Sequence, residues 1–426
     1  MGWLYIVFAF NALVPTKRFP VFGIPAGEFI TLVIYVVFAF KALLLDRETY
    51  FRRSLNRVWF LCLAVVVLSA SRSFLTSEDH TYWMWNAKQV IHYLFLFPLI
   101  SLVRTWEQYR RCLTGYLVIG VLGAALLHVY EQLPYLVDHS VGSGMLHGEV
   151  AGMPRVFTPG MQYVFLCSVA LLPFLRWRIA PLAVWLFLLS GLVWTFGRVF
   201  FVILGVCVTC HLAILAGCRK ISKLWAGAGI LLALAVAVGG SQFVGVEARS
   251  ALAERMATLS EARGASSITE FDTLGWRFRD AANAIDQVET PAEMLFGVFA
   301  RLYETEGWMG VFVHLGYVGI YYHYGLLGVF TFGLLILMIS AKALSLLRKA
   351  MAGSPSLELE WVASLALSWV AMCLVSFIGG TFATGSFIIQ VMLISHGIAL
   401  LEKASAGGPE APLPSAPADL AWNGTA

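Results

Sequence analysis

Apolar runs of roughly 17 to 25 residues, separated by short charged clusters, recur along most of this 426-residue chain. A helix needs about 20 such residues to cross the roughly 30 Å of hydrocarbon in a bilayer. Hydrophobic residues make up 59% of the chain and charged residues only 13%, which is too few to cover a water-soluble protein of this size. The sequence therefore predicts an all-α, polytopic membrane protein.

The basic residues give the expected orientation of the spans. About twelve spans are predicted, roughly nine in residues 1–243 and three in residues 311–403. If they alternate across the membrane, five basic clusters in the short loops fall on one side, and an excess of Lys and Arg marks the cytoplasmic side. Both termini are then cytoplasmic. These clusters lie at 47–57, 104–111, 176–178, 219–223 and 342–349.

Residues 244–310 and 404–426 are two of the longest regions outside the predicted spans. Residues 244–310 form an extracytoplasmic loop in this topology and are numerous enough to fold into two helices over the bundle. The second of these, Thr273 to Val298, is interrupted at Pro291. Residues 404–426 are rich in Pro, Ala and Gly and are predicted to be a disordered cytoplasmic tail. The apolar residues at helical spacing in the second loop helix are Phe278, Ala281, Ala282, Ile285 and Val288.

The sequence offers no persuasive metal site or disulfide framework. All seven cysteines lie in or beside apolar runs. His139 and His147 are close in sequence, but they lack the neighbouring carboxylates or cysteines that make a ligand set specific. We expect no metal, no cofactor and no nucleic-acid partner.

Several basic residues fall on the outer side, against the positive-inside bias. A guanidinium group there matches phosphate oxygens, as in a diphosphate-linked lipid, although snorkelling to lipid head groups or pairing with carboxylates would also explain a single arginine. Arg198 begins an apolar helix after a tight turn, where a cation opposes the helix dipole unless an anion lies beside it. Spacing alone does not distinguish Arg277 from Arg279. The outer set is Arg72, Lys88, Arg155, Arg198, Arg277, Arg279 and Arg301.

His314 opens a long apolar helix directly after the polar loop and has no charged neighbour. Burying it requires a hydrogen bond if it is neutral and a counter-charge if it is not, so it is either a helix-cap or interface residue or a functional one. Gly325 follows after ten intervening residues, and Gly328 lies one helical turn further on. His323, deeper in the same span, is expected to pack or to form a hydrogen bond.

Taken together, these features resemble the O-antigen ligase and polysaccharide polymerase superfamily of integral-membrane glycosyltransferases. His314 with Gly325 and Gly328 is similar to the family's histidine, ten residues, glycine element, with Leu315 where the family has Asn, Ser or Gln. The stretch Arg277 to Gly297 resembles the family's loop helix, which opens with arginine and closes with a proline and a glycine. Arg198 and the segment Arg155 to Gly160 resemble the elements at the start of two spans.

The resemblance implies a GT-C-like fold and a metal-independent, inverting transfer of a glycan from undecaprenyl diphosphate at the periplasmic face of the bacterial inner membrane. Arg198 and Arg277, supported by Arg279 or Arg155, would bind the diphosphate. His314 would accept the proton of the acceptor hydroxyl or orient it. The carboxylates available as an alternative base are Asp272, Asp280 and Glu304.

The expected acceptor is lipid A-core, as in an O-antigen ligase of lipopolysaccharide biosynthesis. A polymerase that joins lipid-linked repeat units is the alternative within the same superfamily. A non-enzymatic transporter of lipid-linked glycans is the alternative from another class, and it would bind the same diphosphate and membrane lipids without chemistry. The sequence shows no convincing internal repeat, and its polar residues gather at one face, which argues against the transporter.

Overall fold

The computed structural model describes most of the bundle and part of the polar loop. The described residues are 1–13, 20–21, 24–45, 50, 53–76, 83, 87, 91–129, 146–150, 153–156, 159–172, 179–193, 204–205, 207–212, 272–299, 303–305, 308–310, 316–352, 357–378 and 385–405.

The architecture is predominantly α-helical, as predicted. The helices are α1 Gly2–Leu13, α2 Ala26–Leu45, α3 Ser54–Thr76, α4 Leu96–Leu102 (preceded by a 3-10 turn at Ile91–Phe95), α5 Trp106–Val129, α6 Pro159–Ala170, α7 Ile179–Val193, α8 Asp272–Asp286, α9 Pro291–Phe296, α10 Gly316–Ala352, α11 Leu357–Ile378 and α12 Gly385–Ser405. In the part of the chain that the structure describes, three antiparallel two-stranded hairpins lie between helices. They are β1 Pro20–Val21 with β2 Ile24–Pro25, β3 Leu146–Val150 with β4 Met153–Val156, and β5 Tyr303–Thr305 with β6 Trp308–Gly310.

Among the described residues, three helices are long and apolar enough to cross a membrane, at Gly27–Leu44 in α2, Ser54–Thr76 in α3 and Gly316–Arg348 in α10. Shorter apolar helices accompany them, among them α1 and the segments Ile179–Leu192 and Phe387–Glu402. Both the apolar helices and the composition therefore identify the chain as a membrane protein. The number of spans and the sidedness remain predictions.

Aromatic side chains fill the centre of the bundle where α1, α5 and α6 meet. The rings of Tyr116 and Tyr163 stack with centroids 4.5 Å apart, and Phe8 meets Tyr116 edge-on at 5.2 Å. Offset-stacked and edge-to-face pairs are the preferred arrangements of aromatic rings. Gly120 lets α5 and α6 approach closely, because a Cβ there would press on the sulfur of Cys167.

Helix α10 packs along α3, α11 and α12 and also meets α8 and α9. Its backbone leaves helical geometry at Gly325, where φ is 63° and ψ is −161°. The break divides α10 into residues 316–324 and residues 326–352, and the second segment alone is about 40 Å long at 1.5 Å per residue. The second segment is thus long enough to cross a bilayer without the first.

The second predicted loop helix, expected to break at Pro291, is present as two helices. Helix α8 begins at Asp272, one residue from the predicted start, and ends at Asp286. The helix is interrupted at residues 287–290, and Pro291 begins α9, because proline lacks the N–H that the first helical turn leaves without a partner. The first predicted loop helix and the tail lie outside the described residues.

Candidate functional site

Helix α8 lies on the first segment of α10 through small side chains. Ala281 and Ala284 are buried and cluster with Tyr322 of α10 and Val298. Alanines let the two backbones approach closely and leave the larger Tyr322 ring enclosed. The apolar face predicted from the sequence is correct for Ala281, which is buried. It is wrong for Phe278 and Ile285, which are 43% and 44% exposed on the outer side of α8.

This packing gives the two loop arginines different surroundings. Arg277 is partly buried, whereas Arg279 is exposed. Asp280, one helical turn after Arg277, is buried at 1% exposure. The two arginines, which sequence spacing did not distinguish, therefore differ in burial.

A capping box begins helix α9. The Thr290 hydroxyl accepts a hydrogen bond of 3.2 Å from the Glu293 amide, and the Glu293 carboxylate accepts hydrogen bonds of 3.1 Å from the amides of Glu289 and Thr290. Glu293 is buried, and these backbone donors satisfy its carboxylate. The connection between α8 and α9 is therefore fixed by side chains rather than left to the loop backbone.

Gly297, at the end of α9, lies against Gly325 of α10. Gly297 caps α9 with φ of 78°, and its amide donates to the Glu293 carbonyl at 2.7 Å. A Cβ on Gly325 would overlap the backbone of Leu295 and lie 2.5 Å from the Gly297 amide nitrogen. A Cβ on Gly297 would overlap the backbone of His323 in turn. We call the contact between Gly297 and Gly325 the glycine crossing; both glycines have positive φ and neither has room for a side chain.

Three hydrogen bonds hold residues 297–299 to the spans. The Arg72 guanidinium Nη1 donates to the Gly297 carbonyl at 2.8 Å, and the Val298 amide donates to the Tyr322 carbonyl at 2.7 Å. The Nδ1–H of His323 donates to the Phe299 carbonyl at 2.8 Å. The Tyr322 carbonyl is accessible because the break at Gly325 interrupts the helical hydrogen bonds there. His323 therefore forms the hydrogen bond expected of it.

Phe299 anchors the end of this segment. Its side chain is fully buried, and its ring centroid lies 6.3 Å from that of Trp83 and 6.4 Å from that of Tyr324. The Trp83 indole N–H donates to the Ala70 carbonyl in α3 at 2.7 Å. Phe299 has φ of 62°, which is unfavourable for a phenylalanine and persists only where the surroundings determine it. The residues after α9 thus form a tightly packed junction with α3 and α10.

The structure brings together some of the predicted site residues. Arg277 and Arg279 lie on α8, and Gly325 and Gly328 lie on α10, which α8 contacts. Gly328 follows the break by one turn, where a Cβ would press on the Tyr324 side chain. Arg155 lies in β4, of which only the backbone is described. His314 and Arg198 lie outside the described residues, so their positions relative to α8 remain predictions.

Sequence reasoning missed the role of Arg72 and of Gly297. Arg72 was noted only as one of several outer cations, and its partner lies 225 residues away along the chain. Gly297 followed by Val298 gives a helix-stop signal, but nothing in the sequence indicates which helix it meets.

Within the part of the chain that the structure describes, no group of three or more His, Cys, Asp or Glu side chains could hold a metal ion.

No protein-family model matches the sequence, and no curated protein matches it either.

Proposed function

We propose that the chain is an integral-membrane glycosyltransferase with a GT-C-like fold. It transfers a glycan from undecaprenyl diphosphate to an acceptor hydroxyl at the periplasmic face of a bacterial inner membrane. In this proposal about twelve spans carry the site, both termini are cytoplasmic, and α8 and α9 lie on the periplasmic side. Lipid A-core is the favoured acceptor, which makes the protein an O-antigen ligase of lipopolysaccharide biosynthesis.

The glycine crossing is the observation that supports this proposal most. Two sequence patterns suggested the activity, namely the stretch from Arg277 to Gly297 and the element from His314 to Gly325. The glycines that close these two patterns are in backbone contact, and α8 packs on the segment that precedes Gly325. Chance matches at separate places in a sequence have no reason to share a contact. A common site explains why both patterns end where they do.

The chemistry requires little beyond positioning and charge stabilisation. The acceptor oxygen forms a bond to the anomeric carbon, and the bond from that carbon to the diphosphate oxygen breaks, so the electron pair leaves with undecaprenyl diphosphate. Arg277 and Arg198, with Arg279 or Arg155 in support, stabilise the negative charge that develops on the leaving group. His314 accepts the proton of the acceptor hydroxyl, or it orients that hydroxyl for attack while a carboxylate, Asp272, Asp280 or Glu304, accepts the proton.

Reconstitution with two acceptors tests the proposal. The purified protein is placed in vesicles with an undecaprenyl-diphosphate-linked glycan and either lipid A-core or a second lipid-linked repeat. A glycan on lipid A-core identifies a ligase, and a lengthened lipid-linked chain identifies a polymerase. Movement of the donor between leaflets without a new glycosidic bond in either reaction would overturn the enzymatic proposal in favour of a transporter.

A further inference from the structure

Arg72 links the polar loop to a membrane-spanning helix. It lies about one turn before the end of α3, is partly buried, and donates its 2.8 Å hydrogen bond to the carbonyl of Gly297. Gly297 is the C-terminal cap of α9, and the last carbonyls of any helix lack partners within the helix itself. A charged donor at that end forms a charge-assisted hydrogen bond, which is stronger than a neutral one.

A set of hydrogen bonds runs from this contact to the last turn of α8, the helix that carries Arg277. Gly297 is held to α9 through the Glu293 carbonyl, and the Glu293 carboxylate holds the amides of Glu289 and Thr290. The Val288 amide donates to the Ile285 carbonyl in the last turn of α8 at 3.0 Å. Each connection is a hydrogen bond between groups close in sequence, so α8 and α9 are coupled through a short, ordered link.

We propose that Arg72 is a positioning residue for the transfer reaction. It fixes α9 against α3 and thereby sets the position of α8 and of the Arg277 guanidinium. This inference rests on the proposed function, because Arg277 must bind the diphosphate for its position to matter. Arg72 acts through Arg277 and is not itself a ligand of the substrate.

The alternative role for an outer arginine is direct contact with the diphosphate. The two roles differ in how they combine with the loss of Arg277. A residue that only positions Arg277 has nothing left to position once Arg277 is removed, so the double variant should be no worse than Arg277→Ala alone. Two independent diphosphate ligands would instead give losses that multiply.

The variants are Arg72→Met, which keeps the length of the side chain but removes its donors, and Arg72→Lys, which restores a charged donor. Ser71→Met is the matched control, since Ser71 is the exposed neighbour on the same helix and receives the same apolar side chain. Each full-length protein is purified in lipid nanodiscs and studied by hydrogen exchange of residues 288–299. Transfer is measured with the undecaprenyl-diphosphate-linked glycan and the acceptor that the wild-type protein uses.

Arg72→Met should raise hydrogen exchange in residues 288–299 on the order of tenfold, as the loss of a charge-assisted hydrogen bond allows. It should lower kcat on the order of tenfold as well, with no further loss when it is combined with Arg277→Ala. Arg72→Lys should recover most of both properties, and Ser71→Met should leave both unchanged.

Three results would overturn the inference. Unchanged exchange in Arg72→Met would show that the hydrogen bond does not hold the loop. Raised exchange with normal kcat would make Arg72 purely structural, and multiplicative losses with Arg277→Ala would make it a direct ligand. If the wild-type protein transfers no glycan, the proposed function fails and the catalytic role of Arg72 fails with it. The exchange data would still decide separately whether Arg72 holds the loop.

Discussion

Gly325 lies at a φ of 63°, and a Cβ at this position would overlap the backbone of Leu295 and Gly297. An alanine there would adopt an unfavourable conformation and would also overlap atoms that have no freedom to move. Gly333, two turns further along α10, offers a comparison, because a Cβ there meets no described atom within 4 Å.

Gly325→Ala should therefore destabilise the protein by roughly 2 to 5 kcal/mol. Gly333→Ala should be neutral or stabilising by up to about 1 kcal/mol, since alanine favours helix more than glycine does. Thermal unfolding of both variants in the same detergent provides the measurement. Equal melting temperatures for the two variants would show that the glycine crossing is looser than the structure indicates.

Arg277 and His314 carry the proposed chemistry, so alanine at either position should abolish transfer without preventing insertion or folding. The expected loss is roughly 10²- to 10⁴-fold, as for the removal of a charge-stabilising or acid–base group. Arg110→Ala is the control: Arg110 forms a 3.5 Å ion pair with Glu107 at the surface, where such pairs contribute little. Normal transfer in both site variants would remove the proposed site.

Helix α9 shows how a very short helix is made stable. It has only six residues, and isolated helices of that length do not persist in water. The capping box at Thr290 and Glu293, the proline at its start and the glycine at its end satisfy the backbone groups that so short a helix leaves exposed.

Thr290→Ala should loosen α9 and lower stability by about 0.5 to 2 kcal/mol, because the Glu293 amide loses its acceptor. Thr114→Ala is a suitable comparison, since the Thr114 hydroxyl bonds back to the Arg110 carbonyl within α5, an interaction that does not favour the helix. Hydrogen exchange of residues 288–296 and thermal unfolding would report the effect. No change in exchange for Thr290→Ala would contradict the role given to the cap.

The sequence predicted the helices better than it predicted their contacts. The predicted start of α8, Thr273, lies one residue from the observed start at Asp272, because hydrophobic spacing and charge are local signals. The break at Pro291 was predicted, but a new helix beginning at that proline was not, because proline both ends helices and begins them, and the cap at Thr290 distinguishes the two. The Arg72 to Gly297 hydrogen bond was beyond reach, since no local pattern reports which residues meet across 225 positions.

Across the molecule, the loop helices lie where α3 ends and α10 begins, and an ion pair between Lys342 and Glu402 joins α10 to α12 near their other ends. The proposed topology makes the loop end periplasmic and the ion-pair end cytoplasmic. Phe299 and Tyr324, beside the glycine crossing, belong to the same buried core as the aromatic residues Phe8, Tyr116 and Tyr163, so the crossing is packed against the main core of the bundle.

Single cysteines introduced into a cysteine-free variant test this orientation. A membrane-impermeant reagent should label a cysteine at Ser266 in intact cells, and it should label one at Ser354 only after permeabilisation. Both sites are polar positions between predicted spans, so their labelling reports sidedness. The reverse pattern would overturn the topology and would move the proposed site to the cytoplasm.

The break in α10 also restricts changes in chain length. Each residue added to a helix turns everything before it by about 100° relative to everything after it. One residue inserted between Tyr317 and Tyr321 would leave Tyr322, His323 and Gly325 facing the loop but would rotate the preceding turn away from α8. Natural variants of this protein should therefore carry no insertions or deletions between Tyr317 and Gly325.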